Sequence, residues 1–305
     1  MYFIVSFIPS RWAFLMKFHN IGIISPGDMG QGIALSLKSS GHAVHTALDG
    51  RSERTRALAH EAGLNDCGSM TKLIETCEVV LSILNPAAAV DNARAVAAAM
   101  QTCGRSRLFV DCNAVAPQTM TEIATIITGA GGDCIDAGII GPPPRGKARM
   151  RMYVSGPRAV LLEQLATTGI DVRVMSERIG DASAIKMCYA SYTKGAVALG
   201  VEMLMTARRL GVDAALNKEL QESLAESRDW IISRSTTMPP KAHRWVPEML
   251  EIAKTFEGAG LTPRMLQGAA DMYAMIAQTP LGQESPEAAR AKGRDGIAII
   301  NALAD

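Results

Sequence analysis

One lysine in the middle of the chain stands where a charged group is costly. Lys186 lies in a helical pattern between Ala182 and Ala190, and its neighbours Ile185 and Met187 indicate that this helix is packed. A lysine whose pKa is lowered by burial can take up or release a proton near neutral pH, as acid/base catalysis at an alcohol or carbonyl oxygen requires. We therefore predict a catalytic role for Lys186. The alternative is a surface lysine that extends into solvent.

A glycine-containing turn near the start of the chain could hold phosphate groups. The pattern Ser25-x-Gly27-x-x-Gly30 follows a β-branched run and precedes a helical pattern. In the dinucleotide fingerprint G-x-G-x-x-G, the glycines let the pyrophosphate and the helix come close to the backbone. Here Ser25 replaces the first glycine, and Asp28 and Met29 lie in the turn before a helix whose N–H groups favour phosphate. We predict a dinucleotide site, and the alternative is a turn without a ligand.

The residues after the second predicted strand bear on which dinucleotide is bound. Asp49 stands where a carboxylate would accept hydrogen bonds from the ribose hydroxyls of NAD. Arg51 and Ser52 follow, with Arg54 close behind, and they could hold the 2′-phosphate of NADP. We predict NADP, with NAD as the alternative cofactor. If neither is bound here, Arg51 and Arg54 belong to a solvated helix start.

Strands and helices alternate in the first part of the chain and give way to helices alone. Apolar and β-branched runs predict strands at 21–25, 43–48, 78–84, 108–111, 134–137, 150–155 and 171–175. Helical patterns lie at 32–40, 52–62, 90–100, 117–128, 182–210, 213–233, 246–258, 262–278 and 286–304. This order predicts an α/β domain with a parallel sheet over 16–178 and an all-α domain over 179–305, joined by a long interdomain helix.

Five segments occur in the order and spacing of a known group of enzymes. They are SPGDMGQGIA, VLSILNP, DCNAVAP, DAGIIGP and GDASAIK. Together they resemble the β-hydroxyacid dehydrogenase superfamily, which includes 6-phosphogluconate and 3-hydroxyisobutyrate dehydrogenases, over about residues 17–300. The stretch MPPKAHRWVPEMLEIA resembles a branch of 6-phosphogluconate-dehydrogenase-like proteins with a variant helical C-terminal domain. The resemblance implies a Rossmann-like first domain that binds NAD(P), and a homodimer made through the helical domains.

The resemblance assigns roles to individual residues. The superfamily's catalytic lysine lies six residues after a glycine, and Lys186 follows Gly180 at that spacing. The strand end that lines the cofactor corresponds to Leu84 and Asn85. Asn113 stands where the superfamily has a serine that contacts nicotinamide and substrate, which implies that Asn113 binds both.

Several positions depart from the superfamily pattern toward apolar residues. Gly141 of the substrate-binding segment is retained, but Ile140 replaces its serine. Ala190 replaces an asparagine, and Pro247 stands in place of a lysine. We therefore expect a substrate pocket that is more apolar than usual, for which simple 3-hydroxy acids and 6-phosphogluconate are not the best substrates.

Polar residues near these departures could supply the missing substrate contacts. The candidates are Tyr189, Ser191 and Lys194 around Ala190, and Lys241, His243 or Arg244 in a loop predicted before Glu248, of which Arg244 is favoured. For the three loop residues, the alternative is a solvated loop.

The combined pattern predicts an NAD(P)-dependent oxidoreductase that transfers hydride between nicotinamide and a hydroxyl or carbonyl substrate, with Lys186 as acid/base. One alternative is an imine reductase-like enzyme, although that branch usually lacks the lysine that this chain retains as Lys186. The other alternative is a sensor or scaffold that binds NAD(P) without catalysis, which the change to Ala190 would favour.

Composition narrows the classes of partner. The chain has 305 residues and a formal net charge of +1. It therefore lacks the excess of basic residues that would indicate nucleic-acid binding. The six cysteines are scattered without metal-ligand spacing, which predicts reduced thiols, a cytoplasmic location and no metal site. The expected partners are a small-molecule substrate and a second copy of the chain, with no nucleic acid and no membrane.

The opening stretch of the chain is apolar but matches neither a signal peptide nor a membrane span. It lacks a basic start, and Pro9, Arg11 and Lys17 interrupt or flank its apolar run. Met16 begins a sequence typical of a protein start. We therefore predict that residues 1–15 are an upstream extension. The alternative is a short amphipathic segment that packs on the protein or on a membrane surface.

Overall fold

A computed structural model describes residues 17–305, so the predicted extension at 1–15 lies outside the described residues. The strands are β1 (Asn20–Ile24), β2 (Ala43–Thr46), β3 (Asn65–Asp66), β4 (Val79–Ser82), β5 (Leu108–Asp111), β6 (Asp133–Ile140), β7 (Met150–Ser155) and β8 (Ile170–Ser176). The helices are α1 (Asp28–Ser39), α2 (Glu53–Glu61), α3 (Met70–Thr76), α4 (Ala89–Cys103), α5 (Pro117–Gly129), α6 (Asp181–Arg209), α7 (Asp213–Ser223), α8 (Ala225–Ser235), α9 (Ala242–Gly258), α10 (Arg264–Ala277), α11 (Pro286–Ala291) and α12 (Gly296–Ala304).

All strands of the described chain join one sheet in the order β3-β2-β1-β4-β5-β6-β7-β8. The strand order reverses between β1 and β4, and in such sheets ligands bind outside the carboxyl ends of the strands at this point. The pairs are parallel except for β7, which runs antiparallel to β6. The predicted parallel sheet is confirmed, and the one antiparallel pair arises because residues 141–149 return the chain without a crossover helix.

The central strands are buried on both faces, as expected for parallel strands covered by helices. All four residues of β4 and all four of β5 are buried. Their side chains join a core with Phe18, Ile33 and Leu37, which are each 0–1% exposed. The strand ends are thereby fixed, and the loops at the carboxyl edge are placed by a rigid support.

The chain divides into two compact units. The first contains residues 17–84, 88–113 and 119–183, and the second contains 85–87, 114–118 and 184–305. The division falls inside α6, shortly after the boundary predicted at 178. Each unit has its own apolar core.

The second unit is helical, but its helices are shorter than predicted in two places. The helix predicted at 213–233 breaks at Leu224, and α7 and α8 pack against each other across the break. The helix predicted at 286–304 is interrupted before α12, where Gly293 adopts a φ of 58°. The loop predicted for His243 and Arg244 is wrong, because α9 begins at Ala242 and includes both.

Five short elements have no counterpart in the prediction, namely β3, α3 and the 3₁₀ segments Pro86–Ala88, Ala159–Leu165 and Pro239–Lys241. Within residues 17–305, no helix is both long and apolar enough to cross a membrane.

Candidate functional site

The turn between β1 and α1 has the geometry of a phosphate-binding turn. Ser25 has a φ of 57°, a left-handed conformation that the fingerprint normally gives to glycine. A Cβ added to Gly30 would lie 3.3 Å from Ile23 Cγ2, so Gly30 lets α1 pack closely on β1. A Cβ on Gly27 would lie 4.0 Å from its nearest atom, so the approach to that backbone is open.

The first turn of α1 leaves donors for an anion. Gly27 is the N-cap, and within the described chain no side chain caps the N–H groups of Asp28, Met29 and Gly30. Met29 anchors this turn because its side chain packs against the core of the first unit. Backbone donors and an open approach fit the pyrophosphate of a dinucleotide.

An arginine that the sequence analysis did not identify holds this turn. Arg145 comes from the loop after β6, and its Nη2 lies 2.9 Å from Asp28 Oδ1. The same nitrogen donates to the Asp28 carbonyl at 3.1 Å and to Gln31 Oε1. A carboxylate at a phosphate-binding helix terminus repels the ligand, and the Arg145 guanidinium offsets that charge. Its role has no local sequence signal, because the contact spans more than a hundred residues.

The loop after β4 lies beside this turn, since β1 and β4 are adjacent parallel strands. Leu84 N donates to Asn113 Oδ1 at 2.6 Å, which ties the loop to the end of β5. Asn85 Oδ1 accepts from Ala87 N at 3.1 Å and closes a tight turn. Leu84 is thus brought near the dinucleotide turn, as its predicted role requires.

Asn113 does not present its side chain as the sequence analysis expected. It is 4% exposed, and its Nδ2 donates to Ser82 Oγ at 2.9 Å and to Asp111 Oδ2 at 2.8 Å. Both amide hydrogens are used inside the protein, so one lone pair of Oδ1 is left for the predicted contacts of this side chain with nicotinamide and substrate. Asn113 instead positions Leu84 and holds Asp111.

Two buried carboxylates lie on neighbouring strands. Asp111 and Asp136 are paired in the register of β5 and β6. Burial raises the pKa of Asp111 to about 7, and the nearby Asp136 adds to the rise. Burial also raises the pKa of Asp136, which accepts from Ser183 Oγ at 2.6 Å, Ser183 N at 2.8 Å and Gly180 N at 3.0 Å. Asp136 thus satisfies the N–H groups at the start of α6.

The turn after β2 carries the residues predicted to select the cofactor. Gly50 has a φ of 69°, and Arg51 N donates to the Leu48 carbonyl at 3.1 Å. Ser52 is the N-cap of α2, and its Oγ accepts from Thr55 N at 3.3 Å. Asp49 and Ser52 are exposed and Arg51 is partly buried, so all three remain accessible.

The backbone conformation at position 141 requires glycine, whether or not a ligand binds there. Its φ is 126°, and a Cβ there would lie 3.0 Å from the Arg149 carbonyl oxygen. Ile140, which replaces the superfamily's serine, is 5% exposed at the end of β6.

In the second unit, Lys186 is a half-buried lysine without a bonding partner. Among residues 17–305, no group forms a hydrogen bond or ion pair with its ammonium. The pKa of Lys186 is lowered to about 8, mainly by burial and also by the charge of Lys194, while Glu248 opposes the fall. At this pKa the side chain exchanges protons near neutral pH.

A buried ion pair lies next to Lys186. Lys194 Nζ is 2.6 Å from Glu248 Oε1, with side-chain exposures of 15% and 12%. Burial opposes the charge on Glu248, but Lys194 and Lys186 hold the pKa of that carboxyl below its usual value. Lys194 Nζ also lies 5.4 Å from the Trp245 ring centre, and Tyr273 donates to the Lys194 carbonyl at 2.7 Å.

This pairing changes the interpretation of Lys194. The sequence analysis expected a substrate contact, but the ammonium is already bound to Glu248, which that analysis did not assign. Arg244 lies one helical turn before Glu248, is exposed, and helps to lower the pKa of that carboxyl. Lys186, Lys194, Arg244 and Glu248 are therefore one electrostatic group.

Two other predicted substrate residues lie on different faces of α6. Tyr189 is 48% exposed and lines a cavity of about 770 Å³ with Trp230. Ser191 donates to the Cys188 carbonyl at 2.7 Å and lines a second cavity of about 500 Å³. Ser191 stands about 140° around the helix from Lys186, so the structure does not bring these two together.

Comparison with known proteins identifies both parts of the chain. The NAD binding domain of 6-phosphogluconate dehydrogenase matches residues 20–166. A domain of unknown function, DUF1932, matches residues 207–276. These matches confirm the resemblance seen in the sequence and the NAD(P)-binding character of the first part.

Relatives of the chain extend over most of its length. An uncharacterized 28.5 kDa protein of Methanothermus fervidus is 28% identical over 259 residues, covering 84% of this chain and 98% of the relative. L-threonate dehydrogenase of Cupriavidus necator is 30% identical over 202 residues, covering 64% of this chain and 66% of the relative.

Solved structures agree with these matches. A conserved protein of unknown function, described as similar to 3-hydroxyacid dehydrogenases, is 30% identical with a TM-score of 0.63, over 90% of this chain and 99% of that one. The fold is shared with Mycobacterium tuberculosis 3-hydroxyisobutyrate dehydrogenase, at 20% identity and a TM-score of 0.65 over 92% and 100% of the chains. It is also shared with the Streptomyces aurantiacus imine reductase, at 19% identity and a TM-score of 0.53 over 90% and 99%. The chain belongs to the family of 6-phosphogluconate-dehydrogenase-like NAD(P)-binding oxidoreductases whose C-terminal domain is DUF1932.

Proposed function

We propose that the protein is an NADP-dependent dehydrogenase or reductase that acts at a hydroxyl or carbonyl carbon, with Lys186 as acid/base. The observation that carries this proposal is a half-buried ammonium without a hydrogen-bond partner in the described chain, beside the Lys194–Glu248 pair. Burying an ammonium without a partner costs free energy, so its retention favours a role in chemistry.

The first unit supplies the residues that would hold the cofactor. Backbone N–H groups at Asp28, Met29 and Gly30 fit the pyrophosphate, and Arg51 and Ser52 fit the 2′-phosphate of NADP. When bound, the nicotinamide supplies the donor or acceptor of hydride. The chain's own residues bind and orient it and manage the proton.

Lys186 would manage that proton at the substrate oxygen. When an alcohol is oxidised, the neutral amine takes up the hydroxyl proton. When a carbonyl is reduced, the ammonium gives a proton to the developing alkoxide. A pKa of about 8 leaves both forms populated close to neutral pH, which suits either direction.

An imine reductase-like reaction is the second candidate, because the chain shares its fold with an imine reductase. The resemblance described in the sequence analysis implies that this branch usually lacks the lysine that the chain retains as Lys186. The retained lysine therefore favours alcohol or carbonyl chemistry over imine chemistry.

We also propose that the preferred substrate is less polar than the simple 3-hydroxy acids. Ile140 and Ala190, which replace polar residues of the superfamily, are 5% and 1% exposed and offer no donor or acceptor in their side chains. Pro247, in place of a lysine, lies in α9. Weak turnover of 3-hydroxyisobutyrate and 6-phosphogluconate follows from these losses.

The exposed face of α6 supports the proposal of a homodimer. Tyr192 and Leu199 are 73% and 67% exposed on this helix, and the cavities of about 770 and 500 Å³ flank them. An apolar face of this kind is typical of a protein interface. We propose that a second copy of α6 covers it.

A cytoplasmic location remains a proposal that rests on the cysteines. All six lie in the described part of the chain and are free thiols. Burial raises the pKa of Cys112 and Cys134, so these thiols resist oxidation and suit a reducing compartment.

Replacing Lys186 tests its role. We expect Lys186→Ala to lower kcat by roughly 10²–10⁴-fold, because the proton at the substrate oxygen loses its donor or acceptor. Cofactor affinity, measured by titration calorimetry, should stay within twofold.

The assay is a screen of alcohols, hydroxy acids and carbonyl compounds, followed by nicotinamide absorbance. Lys218→Ala is the control, since Lys218 is an exposed lysine in α7. Unchanged turnover in Lys186→Ala would remove this residue from the mechanism.

Replacing either member of the ion pair beside Lys186 should shift the pH profile of turnover, and the two replacements should shift it in opposite directions. Lys194→Met removes a repelling charge, so the pKa of Lys186 rises and carbonyl reduction persists to higher pH. Glu248→Gln removes an attracting charge, so that pKa falls and reduction declines at lower pH.

The measurement is kcat/KM against pH for both variants, with Lys194→Arg and Glu248→Asp as conservative controls. Thermal unfolding separates lost folding from a shifted profile, because breaking a buried pair costs about 3–5 kcal/mol. If the pH profiles of Lys194→Met and Glu248→Gln shift in the same direction, or do not shift, the proposed electrostatic influence of the ion pair on Lys186 is contradicted.

Cofactor preference is tested at the turn after β2. We expect the wild type to have the lower KM for NADP, and Arg51→Gln to raise that KM by about tenfold, because a charge-assisted bond to the 2′-phosphate is lost. The KM for NAD should change less than twofold. Arg105→Gln, an exposed arginine of the first unit, is the control. A wild-type preference for NAD would refute the assignment.

The proposed dimer is tested by changing one exposed leucine. Sedimentation of the wild type at micromolar concentration should give the mass of two chains. Leu199→Glu should give the mass of one, because a charge would be buried in the interface. Leu250→Glu, at a 50% exposed position on α9, is the matched control. A monomeric wild type would disprove the proposal.

A further inference from the structure

A cavity of about 490 Å³ opens at the edge of the first unit's sheet. It lies where β6 ends and where β7 and β8 begin, and Gly141, Arg149, Arg151, Thr168 and Arg173 are among its lining residues. Neither the turn after β1 nor the turn after β2 contributes to its lining. Its volume is in the range of small-molecule sites.

The acidic residue of this cavity is already paired. Asp171 is opposite Arg151 in the parallel register of β7 and β8. Its carboxylate nevertheless accepts from Arg173, at 2.9 Å from Nε and 2.7 Å from Nη2. The remaining guanidinium nitrogen, Nη1, donates to Tyr153 at 3.0 Å. Asp171 and Arg173 thus form a closed pair, and Arg151 has no carboxylate.

Two arginines of the cavity are therefore unpaired. Arg149 directly precedes β7 and Arg151 is the second residue of that strand, and both line the same cavity. Within residues 17–305, neither guanidinium forms a hydrogen bond or ion pair. Two like charges held close together without counter-charges repel each other, and a bound anion would relieve that repulsion.

We propose that this cavity binds the phosphoryl group of a small phosphorylated molecule, held between Arg149 and Arg151. A phosphoryl dianion matches the two uncompensated charges, and the planar guanidinium groups can each hold two of its oxygens. The hydroxyl of Thr168, which has no hydrogen bond in the described chain, is a further donor on the cavity wall. The rest of the cavity accommodates the remainder of the molecule.

This site shares no residue with the turns assigned to the cofactor, although Gly141, which the sequence analysis assigned to the substrate, lines its cavity. Phosphate binding there does not depend on the proposed reaction. The residues assigned to cofactor phosphates are in the turns after β1 and β2, and those assigned to the new site are at the start of β7. Variants can therefore tell the two kinds of phosphate binding apart.

The experiment is a calorimetric titration of the full chain with inorganic phosphate at constant ionic strength, with chloride replaced as phosphate is added. We expect the wild type to bind phosphate and Arg149→Gln/Arg151→Gln to bind at least tenfold more weakly. Lys147→Gln, which removes an exposed cation of the same loop outside the cavity, should bind like the wild type. Thermal unfolding without phosphate checks that the double variant is folded.

Two further arms decide the location and the chemistry. Arg51→Gln should leave phosphate binding unchanged if phosphate occupies this cavity. Succinate, which carries two negative charges without a phosphoryl group, should bind at least tenfold more weakly than phosphate. The proposal is overturned if the wild type does not bind phosphate, if only Arg51→Gln weakens binding, or if succinate binds equally well.

Discussion

A carboxylate or ammonium group that leaves water must be matched by hydrogen bonds or by an opposite charge, and this requirement organises both units. In the first unit, Asp136 accepts from the N–H and the hydroxyl of Ser183. In the second, Lys194 and Glu248 meet at 2.6 Å. Among residues 17–305, no fully buried side-chain nitrogen or oxygen lacks a hydrogen bond. Lys186 is notable against that background, because it is half-buried and its ammonium is unpaired.

The same requirement explains why two residues that were predicted to contact ligands also bond inside the protein. Asn113 and Lys194 carry groups that could bind a substrate, but a buried carboxylate lies within reach of each. A buried carboxylate without a partner would destabilise the fold more than one substrate contact would gain, so these donors are used inside the protein. Their effect on chemistry is indirect: Asn113 sets the loop at Leu84, and Lys194 sets the charge around Lys186.

Local sequence signals predicted the parts of the fold that local forces determine. The strand at Leu108–Asp111 and the strand at Met150–Ser155 have the predicted bounds, because each is a short apolar or alternating run between turn residues. The direction of β7 could also have been predicted from the sequence, since no helical pattern separates the strands at 134–137 and 150–155 and an antiparallel return needs no crossover helix. The break at Leu224 has no glycine or proline to signal it, and α7 and α8 are in contact across it.

The residues of the candidate sites also fall into those that local sequence predicts and those that come together only in the folded protein. Gly27, Gly30 and Lys186 are recognisable because their roles depend on spacing along the chain. Arg145 is not, because its partner Asp28 is close only after the sheet has formed. A formal net charge of +1 hides this distribution: some arginines are paired with nearby acids and others are not, and the unpaired ones decide where an anion can bind. Arg151 is the clearest example. It lies opposite Asp171 in the sheet, but the Asp171 carboxylate is bound to Arg173, and nothing in the sequence around Arg151 indicates this.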